Sequence, residues 1–206
     1  MKTKKVVSIL DYGAGNIYSV CHALRYLSYP FKIISSVAEL QASECLIVPG
    51  QGAFSSAMQS LHQQGFVDAL RTYILAERPY FGICLGFQIL FSSSEEHGGA
   101  AGLNIYNHAL KRFDDSDGVV PHMGWNQLLI NNSKWDKDLG FKDPYVYFIH
   151  SFYLPFCDSN LVFSKSCYGV EFVSAIQQGH LFATQFHPEK SGKFGLQLMD
   201  HYLRSL

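Results

Sequence analysis

Residues 80–90 read YFGICLGFQIL, in which a buried strand, one cysteine and the beginning of a helix follow one another. Gly82 and Gly86 lie two residues to either side of Cys84. This is the pattern of a nucleophile elbow, a sharp strand-to-helix turn that presents a reactive side chain. Glycines are expected where the backbone approaches itself closely, and the N–H groups at a helix start favour a thiolate. A buried, unreactive cysteine fits these residues equally well, so the choice depends on the rest of the chain.

The composition is that of a globular protein with a substantial core. Of the 206 residues, 48% are hydrophobic and 16% are charged, which argues against extensive disorder. We expect one domain over 1–206, because no linker or low-complexity tract divides the chain. The formal charge is −1 and there is no basic stripe, so nucleic-acid binding is not expected. The apolar run at 6–10 stops at Asp11, and no run is long enough to span a membrane.

Neither a metal nor a cofactor is predicted. The five cysteines are odd in number and form no CxxC motif. This pattern indicates reduced thiols in the cytoplasm rather than a disulfide framework or a zinc site. The cysteines are Cys21, Cys45, Cys84, Cys157 and Cys167. The turn at residues 13–15 reads GAG but lacks the third glycine of GxGxxG, which argues against a dinucleotide.

Strands and helices alternate in the first part of the chain. Apolar runs at 6–10, 31–34 and 46–48 read as buried strands, and apolar residues recur at helical spacing over 17–27 and 66–74. This alternation predicts an α/β fold with a mostly parallel sheet and helices on both faces. Open sheets of this kind hold their sites at the carboxyl ends of the strands, where the elbow would lie.

The chain changes character after the elbow. Polar clusters with only short apolar runs follow, and the second half then reads as strands separated by turns. The predicted strands are 126–130, 145–149, 161–166, 172–177 and 181–186, and a helix is predicted over 191–204. We therefore expect a mostly antiparallel section added to the parallel core.

The best candidate base for Cys84 lies in the segment ATQFHPE at residues 183–189. A nucleophilic thiol needs a group that accepts and returns a proton, and that group needs an orienting partner. His187 and Glu189 follow an apolar strand, and in an extended segment their side chains point the same way. The carboxylate could then fix the imidazole tautomer. Whether His187 reaches Cys84 depends on the fold and does not follow from spacing.

An oxyanion site is the third requirement of acyl chemistry at Cys84. The N–H of Leu85, just after the nucleophile, is one candidate donor. The loop PGQG at 49–52 follows a strand, and a flexible peptide between Gly50 and Gln51 could supply another. On local grounds a simple tight turn or a phosphate cradle explains this loop equally well.

The motif GxCxGxQ followed later by HPE resembles the class I (triad) glutamine amidotransferases. Six motifs, in the family's order and nearly end to end, are similar to the glutaminase subunit of imidazole glycerol phosphate synthase. They are DYGAGN at 11–16, PGQGAF at 49–54, GICLGFQIL at 82–90, PHMGWN at 121–126, YFIHSFY at 147–153 and ATQFHPEKSG at 183–192. The resemblance implies a flavodoxin-like fold and hydrolysis of glutamine through a glutamyl thioester.

Site roles follow from the resemblance position by position. It implies that Cys84 is the nucleophile, that His187 is the general base and acid, and that Glu189 orients the imidazole. Gln88 and Gly52 match positions that bind glutamine. The loop that contains Gly52 matches the family's oxyanion strand, in which a peptide flip completes the oxyanion hole.

A partner is also implied by the resemblance. Family members form a heterodimer with a (βα)8-barrel synthase, which receives the ammonia and makes imidazole glycerol phosphate and an aminoimidazole carboxamide ribotide for histidine and purine synthesis. Asn16, Trp125, Tyr147 and Lys190 match positions at or near that interface. Without the resemblance they would read as a turn residue, two core aromatics and a surface lysine.

Departures from the family pattern leave the ammonia acceptor open. Gln51 replaces the usual valine of PGVG, residues 102–109 differ from the usual GLGLI-x-G, and Phe87 replaces a commoner methionine. An alternative destination is therefore a synthase of acetamidino sugars for surface polysaccharides. A non-catalytic subunit on the same fold and a partner-independent cysteine hydrolase are further alternatives.

Overall fold

The structure is a computed structural model that describes residues 4–116, 118–130, 140 and 144–206. Its helices are α1 Ile17–Tyr26, α2 Val37–Gln41, α3 Phe54–Gln63, α4 Phe66–Leu75, α5 Leu85–Gln88 and α6 Gly192–Arg204, with short 3₁₀ turns at Glu96–Gly98 and Pro188–Lys190. The strands up to the elbow are β1 Val7–Leu10, β2 Phe31–Ile34, β3 Cys45–Gly50 and β4 Tyr80–Cys84. Those after it are β5 Phe91–Ser94, β6 Ala100–Ala101, β7 Tyr106–Arg112, β8 His122–Gln127, β9 Leu129–Ile130, β10 Tyr145–His150, β11 Phe152–Tyr153, β12 Val162–Tyr168, β13 Val170–Gln178 and β14 Leu181–Thr184.

A mixed sheet forms the centre of the fold, in the strand order β2-β1-β3-β4-β14-β13-β12-β9. The strands from β2 to β14 in that order are parallel. The strands from β14 to β9 are antiparallel. The smaller sheets are β10-β8 and β11-β7-β5-β6. The predicted parallel core with an added antiparallel section is therefore confirmed.

Both faces of the central sheet are buried, which explains the continuous apolar runs of its strands. Along β3, Leu46 and Val48 pack into one hydrophobic cluster with residues of α3 and α4. Ile47 points to the other face and packs with residues of α1 and α6. Because successive side chains of a strand point to opposite faces, each cluster takes every second residue.

The helix after the elbow is a single turn, shorter than the sequence suggested. α5 ends at Gln88 because the next backbone groups bond to another segment. The carbonyl of Ile89 accepts from the N–H of Leu103 at 2.8 Å, and that of Leu90 accepts from Ile105 at 2.9 Å. The chain therefore leaves the helix into β5, which joins β6 and β7 in a sheet that was not predicted.

Other predictions were incomplete at particular places. The strand predicted at 126–130 is two strands, and β8 already begins at His122. α3 was missed, although Phe54, Ala57, Met58 and Leu61 recur at helical spacing and are buried. α2 was missed because it has only five residues.

The described part of the chain shows neither a membrane-spanning helix nor a metal-binding cluster. There, no helix has the length and apolar character needed to cross a membrane. Among the same residues, no group of three or more His, Cys, Asp or Glu side chains is placed to hold a metal ion.

Candidate active site

Cys84 ends β4 in the sharp turn that its flanking glycines predicted. Its backbone has φ 55° and ψ −100°, a left-handed value of φ that non-glycine residues rarely adopt. A Cβ atom on Gly82 would lie 2.3 Å from the carbonyl oxygen of Gly86. A Cβ atom on Gly86 would lie 1.8 Å from the carbonyl oxygen of Val48. The elbow therefore requires glycine at both positions, and it holds the cysteine in a strained conformation.

His187 and Glu189 lie at the same end of the sheet as Cys84. β14 pairs in parallel with β4, so the segments that follow the two strands emerge at one edge. The Nδ1 atom of His187 lies 2.8 Å from Oε1 of Glu189, and both side chains are almost fully buried. The segment is not extended as predicted, because Pro188 begins a 3₁₀ turn that brings the carboxylate back to the ring.

The position of His187 is fixed by contacts with β10 and with the start of α6. Its backbone N–H donates to the carbonyl of Tyr147 at 3.0 Å. The hydroxyl of Ser191 donates to the carbonyl of His187 at 2.6 Å and accepts from the N–H of Tyr147 at 3.0 Å. The backbone of His187 is therefore anchored to β10 and to the residue that precedes α6.

The electrostatics of the site favour a protonated His187. Burial lowers the pKa of the imidazole, but the neighbouring Cys84 sulfur and the Glu189 carboxylate outweigh burial and raise that pKa well above its ordinary value. Within the described residues, the buried Nε2 atom of His187 has no hydrogen-bond partner. That nitrogen is therefore available to exchange a proton with a group bound at the sulfur.

The PGQG loop lies directly beside the elbow. β3 extends through Pro49 and Gly50, and Gly50 is paired with Cys84 across the two strands. A Cβ atom on Gly50 would lie 2.6 Å from Cβ of Leu85, so the peptide of Gly50 and the N–H of Leu85 are close neighbours. The structure thus brings together the three residues predicted for the oxyanion hole, Gly50, Gln51 and Leu85.

A cavity of about 310 Å³ opens beside Cys84. Four predicted residues line it, namely Cys84, Gln88, Gln51 and Gly52. The others are Glu96, Pro121, Ile149, His150, Ser151 and Phe152. Glu96 is the one carboxylate among these lining residues, and its Oε2 atom accepts from the N–H of Phe54. Glu96 lies in a polar segment without a recognisable motif, so the sequence did not point to it.

Gln185 is a further residue that the sequence reasoning missed. It is completely buried, and its Nε2 atom lies 3.7 Å from the Cys84 sulfur. Its Oε1 atom accepts from Nε2 of Gln88 at 3.0 Å. A signal was present, since Gln185 stands two residues before His187 in the ATQFHPE motif.

Three of the four predicted interface residues surround the active-site edge of the sheet. Trp125 on β8 and Tyr147 on β10 are cross-strand partners, with ring centroids 6.3 Å apart. Trp125 is 57% exposed, which contradicts its reading as a core aromatic. Its ring lies 3.9 Å from the Cβ position of Gly192, two residues after Lys190.

The fourth predicted interface residue, Asn16, has a local structural role as well. Its Oδ1 atom accepts from the N–H of Ser19 at 3.2 Å and caps α1. Asn16 and Glu189 also line one surface depression, so this cap lies near the same edge.

Comparison with known proteins assigns the family. The model of the family "Glutamine amidotransferase class-I" matches residues 8–202. Imidazole glycerol phosphate synthase subunit HisH of Moorella thermoacetica is 43% identical over 201 residues, which cover 95% of this chain and 93% of that relative. The chain belongs to the class-I glutamine amidotransferases and, within them, to the HisH family. The family resemblance seen in the motifs is confirmed.

Two eukaryotic relatives of this HisH-family chain are longer. Imidazole glycerol phosphate synthase hisHF of Arabidopsis thaliana (chloroplastic) is 44% identical over 202 residues, covering 96% of this chain and 34% of the relative. The chain likewise spans 38% of the hisHF protein of Schizosaccharomyces pombe. Among solved structures, a glutamine amidotransferase with 20% sequence identity superposes with a TM-score of 0.75, covering 97% of this chain and 99% of that one. That likeness supports the predicted fold class.

Proposed function

We propose that this HisH-family chain hydrolyses glutamine to glutamate and ammonia, with Cys84 as nucleophile, His187 as general base and acid, and Glu189 as the residue that orients His187. The observation that carries the proposal is the convergence of these side chains at the adjoining ends of β4 and β14. There the strained elbow, the 2.8 Å His–Glu contact and the cavity coincide.

The first half of the proposed reaction forms a thioester. The Cys84 sulfur adds to the carbon of the glutamine side-chain amide, and the resulting oxyanion accepts from the N–H of Leu85 and from the Gln51 N–H of the Gly50–Gln51 peptide. The C–N bond breaks as Nε2 of His187 delivers its proton to the leaving nitrogen. The products of this half are ammonia and a glutamyl thioester on Cys84.

The second half releases glutamate. A water molecule adds to the thioester carbonyl while Nε2 of His187 accepts its proton. The carbon–sulfur bond then breaks, and the thiolate and imidazolium are restored. The Glu189 carboxylate holds Nδ1 throughout, so the same nitrogen always faces the reacting group.

Substrate recognition is proposed to use the polar lining of the cavity. Gln88 and Gly52 lie on its wall beside Cys84, as expected for residues that hold the glutamine. The Glu96 carboxylate suits the α-ammonium group, because ammonium and carboxylate form charge-assisted hydrogen bonds.

The ammonia acceptor is proposed to be a (βα)8-barrel synthase that forms a heterodimer with this chain, in histidine biosynthesis. The names of the relatives support the pathway, and the exposed Trp125 beside the catalytic edge supports the docking face. A variant Trp125→Ala should weaken binding of a HisF-type barrel subunit by about thirtyfold, since central interface tryptophans often contribute about 2 kcal/mol. Phe156→Ala is a matched control, because Phe156 is also exposed, at 63%. Equal losses of affinity in the two variants would contradict the assignment of Trp125 to the docking face.

The test of the proposed function measures glutamate release with and without that barrel subunit. Hydrolysis should be strong only in the complex and should disappear in Cys84→Ala. Full activity without a partner would instead favour a generic cysteine hydrolase. Rescue of a histidine auxotroph that lacks this subunit supports the histidine pathway, whereas failure to rescue by a complex-competent enzyme supports a sugar-modifying synthase.

A further inference from the structure

A chain of buried hydrogen bonds ends on the Cys84 sulfur. Gln88 donates from Nε2 to the carbonyl of Phe152 at 3.2 Å and to Oε1 of Gln185 at 3.0 Å. Gln185 continues the chain, with its Nε2 atom 3.7 Å from the sulfur, within the range of an N–H···S hydrogen bond. Gln185 is completely buried, so bulk water does not compete with these partners for its amide.

The direction of this chain is set by a backbone carbonyl. The oxygen of Phe152 can only accept, so the amide atom of Gln88 that faces it must be the nitrogen. The same nitrogen also faces Gln185, which must therefore present its oxygen there. The nitrogen of Gln185 is then left to face the sulfur. A flipped Gln185 would set two N–H groups against each other on the Gln88 side.

Two buried histidines hold the Phe152 carbonyl in place. The Nδ1 atom of His150 lies 2.9 Å from the Phe152 oxygen and therefore carries a proton that it donates. Nε2 of His150 then accepts from Nδ1 of His122 at 3.0 Å, and Nε2 of His122 accepts from the Asn126 amide at 3.3 Å. In this set of hydrogen bonds, each donor therefore faces an acceptor. Both imidazole rings remain neutral because burial lowers their pKa values.

We propose that Gln185 stabilises the Cys84 thiolate by donating an amide hydrogen bond to its sulfur, in an orientation that Gln88 and the Phe152 carbonyl impose. The inference rests on the proposed function only in taking Cys84 as the nucleophile. The role is distinct from that of His187, which exchanges protons, because a glutamine amide does not titrate. Among the described residues, His187 and the buried hydroxyl of Tyr12 also lie close enough to Cys84 to interact with it electrostatically.

The direct test is the pH dependence of Cys84 alkylation by iodoacetamide, followed by peptide mass mapping of the full chain. Gln185→Met keeps the length of the side chain but removes the donor. The midpoint pH of Cys84 alkylation should rise by about one unit, because a hydrogen bond to a charged group is worth roughly one pKa unit or more. Cys167 is an internal control, since this exposed thiol should keep its midpoint in both proteins.

A second variant keeps the test decisive. Gln185→Glu preserves the shape and the acceptor for Gln88 but places a carboxylate against the sulfur, so the Cys84 midpoint should rise further than in the methionine variant. Circular dichroism melting shows which of the two variants is folded. The Cys84 midpoint of each folded variant is then compared with that of wild type. An unchanged midpoint in a folded variant overturns the inference.

Kinetics of the complex with a HisF-type barrel subunit separate this role from a merely structural one. Gln185→Met should lower kcat for glutamine by about tenfold with KM nearly unchanged, because the lost bond acts on the nucleophile. A raised KM at unchanged kcat would overturn the inference. The alkylation result does not require glutamine turnover, so failure of the proposed function and failure of this inference are distinguishable.

Discussion

The geometry of the elbow predicts that Gly86→Ala destabilises the protein, which is the opposite of the usual effect of this substitution inside a helix. Replacing a helical glycine by alanine ordinarily stabilises a protein by about 0.5–1 kcal/mol. At Gly86 the new Cβ atom would lie 1.8 Å from the carbonyl oxygen of Val48, a backbone atom of the central sheet. The peptide of Gly86 is also held in place, because its own oxygen accepts from the hydroxyl of Tyr80 at 2.7 Å.

We therefore expect Gly86→Ala to destabilise the protein by at least about 3 kcal/mol, the upper end of overpacking costs, since a strand must shift to make room. Urea unfolding followed by circular dichroism measures the free energy of unfolding. Gly179→Ala is the matched control, because Gly179 has φ 54° and no neighbour within 4 Å of the added Cβ. It should lose only about 1–2 kcal/mol to backbone strain. A stability of Gly86→Ala equal to or above wild type would refute the account of the elbow.

Two further predictions concern the histidines. Glu189→Gln removes the charge beside Nδ1 of His187, so the pKa of His187 should fall and glutamine turnover in the complex should drop by about 10²–10⁴-fold; turnover within threefold of wild type would contradict the role of Glu189. His150 is the more acid-sensitive of the buried pair His122 and His150, because burial lowers its pKa from 6.5 to about 3, whereas that of His122 falls to about 4. The folded state then binds fewer protons, so the stability is fully present above pH 6.5 and is lost as the pH falls toward the folded pKa, on the order of 3 kcal/mol by pH 4. Urea unfolding across this range should show a shallower pH dependence in His150→Gln, and an unchanged slope would assign the acid sensitivity elsewhere.

The parallel core was predictable because its signals are local. Strands such as β3 and β4 are continuous apolar runs. The glycines around Cys84 indicate a tight turn, and Gly86 indeed lies against β3. The short β5–β7 sheet was not predictable in the same way. Its strands are polar on one side, and the backbone bonds that end α5 come from residues more than a dozen positions away.

In the candidate site, too, the features with local sequence signals were predictable, and those that depend on contacts between distant segments were not. His187 and Glu189 could be identified by residue type and motif, but their proximity to Cys84 depends on the pairing of β14 with β4. The predicted extended geometry at Pro188 was wrong although the pairing of the two side chains was right. Gln185 and Glu96 were missed because each is positioned by hydrogen bonds to residues distant in sequence.

The central claim is that Cys84 is the nucleophile of a glutaminase. The most direct measurement is glutamate release by the complex with a HisF-type barrel subunit, compared between wild type and Cys84→Ala at matched occupancy of the complex. We expect the variant to lose at least roughly a thousandfold in rate, as enzymes do when a nucleophile is removed, while it binds the barrel subunit as wild type does. A Cys84→Ala complex that still hydrolyses glutamine at a comparable rate would contradict the account.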